Sequence, residues 1–286
     1  MRHRQTDRQL VIKQSLKAAL KSRIRKVIGK IASIIYHAFK FHELVYNDPR
    51  YQFTGSRLSR EQVKRCNSYF DEKINSYKQE QIDTNNIEKL SEYYHFKKIE
   101  ENEAVPLELK ICNIGCYYCG ADNHFLEKHP SCEVYGLDFE GIVEANKNIL
   151  SEKLKLFPGY PLEILENENF EIFDYALFTR TATLINIKQF ISYMEVLNKL
   201  AKNVCFLEVV KISSYTKRVL NIEKIDMMNP IRMYAGMYIH NYPEILRKYG
   251  YEIIESSILS PDIFDQSLTS DHYFIYTHGK KILTID

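Results

Sequence analysis

From residue 107 onward, short apolar runs alternate with longer stretches whose apolar positions follow the helical period. Residues 107–113 (LELKICN), 133–138 (EVYGLD), 161–166 (PLEILE), 173–178 (FDYALF) and 203–210 (NVCFLEVV) read as strands. Residues 121–129, 140–155 and 187–202 read as helices between them. Strands alternating with helices predict a parallel sheet covered on both faces, an α/β doubly wound architecture. The C-terminal stretch breaks the alternation. A helix over 242–250, with Gly250 at its C-cap, precedes two runs (251–259 and 272–279) that have no helix between them. The chain is thus expected to form a mostly parallel seven-stranded sheet that finishes in an antiparallel pair.

The first hundred residues have a different texture. Between 10 and 41, Leu16, Leu20, Ile24, Val27, Ile28, Ile31, Ile34 and Ile35 recur near the helical period, with Lys and Arg on the other face. Residues 48–68, with Pro49 and Gly55, read as a loop, and 61–98 as a polar helical stretch that ends in the acidic connector 100–106. The expected organisation is a basic N-terminal helical region over 1–100 followed by an α/β domain over 101–286. Residues 1–65 hold 16 Lys or Arg against four acidic residues, a net +12 hidden inside a chain total of +2. A basic amphipathic helix can pack on its own domain, lie on an anionic membrane surface or grip a phosphate backbone. The membrane option concerns residues 8–41. No apolar run reaches the roughly 18 residues of a bilayer span, and the best one, 27–41, carries Lys30 and Lys40. The expected location is cytoplasmic, with peripheral contact at the inner face of the membrane as an option. Six cysteines in 286 residues fit a reducing compartment better than a disulfide scaffold.

The chemistry concentrates in KICNIGCYYCGAD, residues 110–122. Cys112, Cys116 and Cys119 have the C-x3-C-x2-C spacing with which radical S-adenosylmethionine enzymes hold a four-iron cluster. The same stretch reads as a first strand followed by a glycine turn at Gly115, with Asp138 closing the second strand 23 positions later. Cys112 falls inside that strand, where a free cysteine behaves as a small buried hydrophobe, and the segment after Cys119 matches a ribose site rather than the radical enzymes' glycine-rich segment. From 107 to the end the chain resembles class I S-adenosylmethionine-dependent methyltransferases. The resemblance implies S-adenosylmethionine as cofactor. It places Asn113, Gly115, Cys116, Tyr117 and Gly120 in the cofactor turn, Asp138 on the ribose hydroxyls, Phe139 beside it, and Thr179 at the end of the fourth strand. Asn113 stands where the family usually has an acid, and Cys116, Tyr117 and Tyr118 stand where further glycines are usual. The string N-I-G-C-x-Y is similar to sugar O-methyltransferases of bacterial surface-polysaccharide clusters, which makes a sugar or other small hydroxylated molecule the expected acceptor.

In such a reaction the sulfonium is already an activated electrophile, and the protein aligns a nucleophile and removes its proton. His240 is the expected general base, since imidazole titrates near neutrality. Arg180 and Tyr238 are the expected substrate contacts: Arg180 is suited to an anionic group, and Tyr238 lies in the Met- and Tyr-rich segment 227–246. No metal is expected, because Thr179-Arg180-Thr181 occupies the place where metal-dependent O-methyltransferases carry an Asp. The Asn/Asp-Pro-Pro-aromatic signature of nucleic-acid amino-methyltransferases is missing, so nucleic acid is a disfavoured partner. The alternatives are an RNA methyltransferase guided by the basic helices, a radical iron-sulfur enzyme, and an inactive methyltransferase-like binding module. Oligomeric state stays open, a homo-oligomer included.

Overall fold

The computed structural model describes residues 55–77, 84–104, 108–117, 119–147, 151–211, 220–232, 237–264 and 272–282. The chain divides into two compact units, 1–47 and 48–286, and every described residue belongs to the second. The basic helices expected within 8–41 lie outside the described residues. Along the second unit run α1 (Arg60–Tyr77), α2 (Tyr94–Asn102), β1 (Lys110–Ile114), α3 (Gly120–Lys128), β2 (Glu133–Asp138), α4 (Glu140–Asn146), β3 (Leu154–Pro158), α5 (Pro161–Asn167), β4 (Phe173–Thr179), α6 (Ile187–Leu200), β5 (Ala201–Lys211), β6 (Ile231–Arg232), β7 (Tyr238–Ile239), α7 (Tyr242–Lys248), β8 (Tyr251–Leu259) and β9 (His272–Lys281).

Seven strands form one sheet in the order β3-β2-β1-β4-β5-β9-β8, and β6 pairs with β7 in a small antiparallel ribbon. The strands from β3 to β5 pair in parallel, whereas β9 runs antiparallel between β5 and β8. The central strands are buried on both faces, as a parallel sheet covered by helices requires. In β1, Ile111 enters the core with Phe96 and Phe125, while Cys112 and Ile114 enter the opposite one with Phe178 and Phe206. No helix among the described residues is long and apolar enough to cross a membrane.

The third strand differs from its sequence reading. It is Leu154–Pro158, which pairs Val134 with Leu154 and Asp138 with Pro158, and PLEILE is the helix α5. Two punctuators explain this: Gly159 has φ 141°, a conformation that ends β3, and Pro161 takes the first helical turn, where its missing N–H costs nothing. Leu154 and Leu156 also fit the apolar period of the preceding helix, which is why the pattern 140–155 looks continuous. The expected boundary at residue 100 also moves. α2 buries His95, Phe96 and Ile99, and Phe96 stacks on Phe125 of α3 at 4.6 Å, so the helices from 60 to 102 are part of the sheet unit.

Candidate functional site

The chain passes from β1 outward through β2 to β3 and then returns to the other side of β1 as β4. Where strand order reverses in this way, loops leaving neighbouring strands diverge and leave a crevice at their carboxyl ends. A cavity of about 270 Å³ lies there, lined from the ends of β1, β2 and β4 and from α3, α4 and α6.

Its floor is the turn after β1. Gly115 has φ 73° and donates its N–H to Leu137 O at 2.8 Å. A Cβ at this position would sit 2.4 Å from Thr181 Oγ1, so both the backbone angle and the approach of the 179–184 segment require glycine. Tyr117 also has positive φ, 48°, in a turn with few glycines. Side chains hold that shape: Tyr117 N–H donates to Asp138 Oδ2 at 2.9 Å, Asn146 Nδ2 donates to Tyr117 O at 2.6 Å, and Cys119 N–H donates to Asn146 Oδ1 at 3.3 Å. Asp138 also accepts the N–H of Phe139 on Oδ1 at 2.8 Å.

Beside the turn, Asn113 Nδ2 donates to Asp122 Oδ1 at 2.8 Å. Both residues line the cavity, and Asn113 Oδ1 is buried without a hydrogen-bond partner. Burial pushes the Asp122 carboxyl up to about 6, against the pull of the Asn113 amide. The other end is aromatic. Phe139 and Tyr160 face each other at 6.3 Å with nearly parallel rings, and Tyr193 meets Tyr160 edge-on. The opposing wall carries Thr179, Arg180 and Thr181. Arg180 donates to Ser91 Oγ at 2.7 Å and pairs with Glu92 Oε1 at 3.3 Å.

Asn113, Gly115, Cys116, Tyr117, Asp138 and Phe139 therefore meet at one cavity, together with Thr179 and Arg180. Gly120 opens α3 without lining it. Tyr238 lies half-buried in β7, away from the cavity lining. His240 is a correction to the sequence reading: its side chain does not line the cavity but is fully buried, packed against Phe190 at 4.8 Å with Nε2 3.1 Å from Ile185 O. Burial lowers its imidazole to about 4, which leaves a neutral core ring at neutral pH. The three spaced cysteines also separate. Cys116 and Cys119 bring their sulfurs to 3.7 Å in one core, while Cys112 points into the core on the other face of the sheet. One cluster cannot be held from both sides of a sheet, and among the described residues no group of three or more His, Cys, Asp or Glu is placed to hold a metal ion.

Among the residues that the sequence did not single out are Glu92, Asp122, Tyr160, Thr181, Gln189 and Tyr193, all on the cavity wall. For Asp122 a signal existed: an acid in the first turn of the helix that follows the glycine turn. For the others only the fold brings 92, 160, 181 and 189–193 together.

No protein-family profile and no curated protein sequence matches the chain. Solved structures do. Human N-acetylserotonin methyltransferase in complex with S-adenosylmethionine superposes with a TM-score of 0.50 at 11% identity, covering 87% of this chain and 67% of that one. A Nostoc punctiforme protein provisionally named an O-methyltransferase gives 0.49 at 9% identity over 73% of this chain. This chain spans 60% of that protein's length. At such identities the likeness to the human enzyme is one of fold.

Proposed function

We propose that the protein is an S-adenosylmethionine-dependent methyltransferase acting on a small hydroxylated acceptor, with sugars the first class to test. The observation that carries this reading is Asp138. Its carboxylate ends β2 at the switch point, bonds the glycine turn through Tyr117 N–H and lines the cavity.

The residues present fit the cofactor. Asp138 would hold the ribose hydroxyls, Phe139, Ile142 and Tyr160 would enclose the base, and the buried Asn113 Oδ1 and Asp122 carboxylate suit the ammonium end. When bound, the cofactor supplies a sulfonium methyl group that is already electrophilic. The protein's share is alignment of the acceptor and removal of its proton. With His240 buried elsewhere and Asp122 and Asp138 given to the cofactor, proton removal falls to Glu92, the other carboxylate on the wall. Arg180, paired with Glu92, suits an acceptor that carries negative charge.

Calorimetry with S-adenosylmethionine and its demethylated product, followed by a mass-shift screen of activated sugars and other hydroxylated acceptors, tests the proposal. The expected result is micromolar cofactor binding and a single methyl addition to one acceptor class. Absence of binding by the folded protein overturns it.

A further inference from the structure

A fully buried carboxyl group with three backbone partners belongs to no part of this scheme. Glu208, in β5, is fully buried and accepts three successive backbone N–H groups: Thr181 at 3.3 Å and Ala182 at 2.8 Å on Oε1, and Thr183 at 3.1 Å on Oε2. Arg180, at φ 56° in the left-handed region, gives its own N–H to Leu207 O at 2.9 Å, and the three N–H groups that follow are those that open the short 3₁₀ turn Ala182–Leu184. The first N–H groups of such a turn have no carbonyl within it to bond, and together they make a small anion-binding concavity. Here a side chain of the neighbouring strand fills it. A left-handed non-glycine residue costs on the order of 1 kcal/mol or more and persists only where its surroundings impose it. Arg180 is held by Leu207 O, Ser91 and Glu92, and Glu208 takes the three N–H groups that follow it.

The segment so held is a wall of the cavity. Arg180, Thr181, Leu184 and Ile185 line it, and Thr181 packs so closely on the turn after β1 that a Cβ at Gly115 would meet its side chain. We propose that Glu208 is a positioning residue for the cofactor site: by gathering the N–H groups of Thr181, Ala182 and Thr183 it fixes the wall that closes over the Gly115 turn. The carboxylate makes no contact with the cavity itself and acts only through that wall. Burial raises its pKa to about 8, while the three N–H donors favour the charged form. The groups around it are Thr183 on the held turn and Tyr242 at the start of α7, with His240 and the Arg180–Glu92 pair nearby in the same layer. The inference rests on the cofactor reading above, and its test separates the two.

Glu208→Gln keeps the shape but turns one acceptor into a donor facing backbone N–H groups; Glu208→Asp keeps the carboxyl group one methylene short. Binding of the demethylated cofactor and amide hydrogen exchange are to be measured on wild type and both full-length variants. The expected result for Gln is affinity weakened at least tenfold with faster exchange confined to 180–185, and for Asp a partial recovery of both. Wild type that fails to bind overturns the cofactor reading; its exchange comparison still tests the wall, because the Gln variant should loosen 180–185 regardless. A folded Gln variant with wild-type affinity overturns the positioning role, as does exchange that rises uniformly through β1, β4 and β5. Should the Gln variant not fold, the Asp variant decides: wild-type affinity and wild-type exchange at 180–185 would sink the proposal.

Discussion

The backbone N–H of Tyr117 meets Asp138 Oδ2 at 2.9 Å, so the carboxylate that closes β2 also shapes the turn that leaves β1. One side chain thus joins the two loops that the nucleoside of the proposed cofactor would touch at the same time. Asp138→Asn replaces one carboxylate oxygen with an amide donor next to two backbone N–H groups. It should lower cofactor affinity by roughly 10- to 100-fold, about 1.5 to 3 kcal/mol for a hydrogen bond to a charged group. Because the turn is loosened as well, a lower melting temperature without cofactor should accompany the loss. Calorimetry and thermal melts report both, and unchanged affinity would remove Asp138 from the site.

That double role could not be read from the sequence, although the residue could. Gly115 and Asp138 were legible because each ends a strand, and strand ends are set by apolar patterning over a few neighbours. The engagement of Asp138 with Tyr117 depends on a positive φ at Tyr117, which no local rule predicts for a tyrosine. β3 was misplaced because its two leucines satisfy the periods of both helix and strand, and Pro161 marks a helix start as readily as a turn. His240 looked chemical because sequence records a residue's type and not its burial. Glu208 sits unmarked in an apolar strand, and its partners lie 25 to 27 residues away.

Asp122 should show a trade between stability and binding. Its folded pKa is raised to about 6 from 3.8, so the folded state binds the proton more tightly than the unfolded one. Stability therefore falls as pH rises through that window and stays lower above it, by about 3 kcal/mol at 1.4 kcal/mol per unit. Asp122→Asn removes the buried charge while leaving an oxygen for the Asn113 amide. The cofactor-free variant should melt higher than wild type at pH 7, yet bind S-adenosylmethionine more weakly, since the ammonium loses its carboxylate. Higher stability with unaltered affinity would make Asp122 a helix-turn carboxylate and nothing more.

His240 gives the opposite sign. Its pKa is lowered to about 4 by burial, so the unfolded chain takes up the proton first and stability is lost as pH falls from about 6.5 toward 4. His240→Gln should destabilise the protein at pH 7.5, because the ring fills the space beside Phe190 and Tyr242. At pH 5 the gap in denaturant midpoint should narrow, since only wild type still carries the protonation penalty. Turnover per folded molecule should stay within a few-fold of wild type. A loss of about 100-fold, the scale of a missing general base, would restore the histidine to the chemistry.

The last expectation concerns the charge at the N-terminus. Residues 1–65 carry a net +12, and between 10 and 41 the apolar positions fall on one helical stripe while the rest of the chain is acidic on balance. Residues 48–286 form a compact unit of their own, so a chain starting at 48 should remain folded and keep its cofactor affinity. If the stripe meets an anionic membrane surface, the full chain should sediment with vesicles rich in phosphatidylserine. The shorter one should stay in solution. Raising salt from 0.05 to 0.5 M should release the full chain, because screening at roughly a Debye length of 10 Å or less removes most of the attraction between Lys or Arg and headgroups. Binding that survives high salt would point to insertion of the apolar stripe instead. Absence of binding at low salt, with an insoluble product on truncation, would assign the stripe to packing against the protein itself.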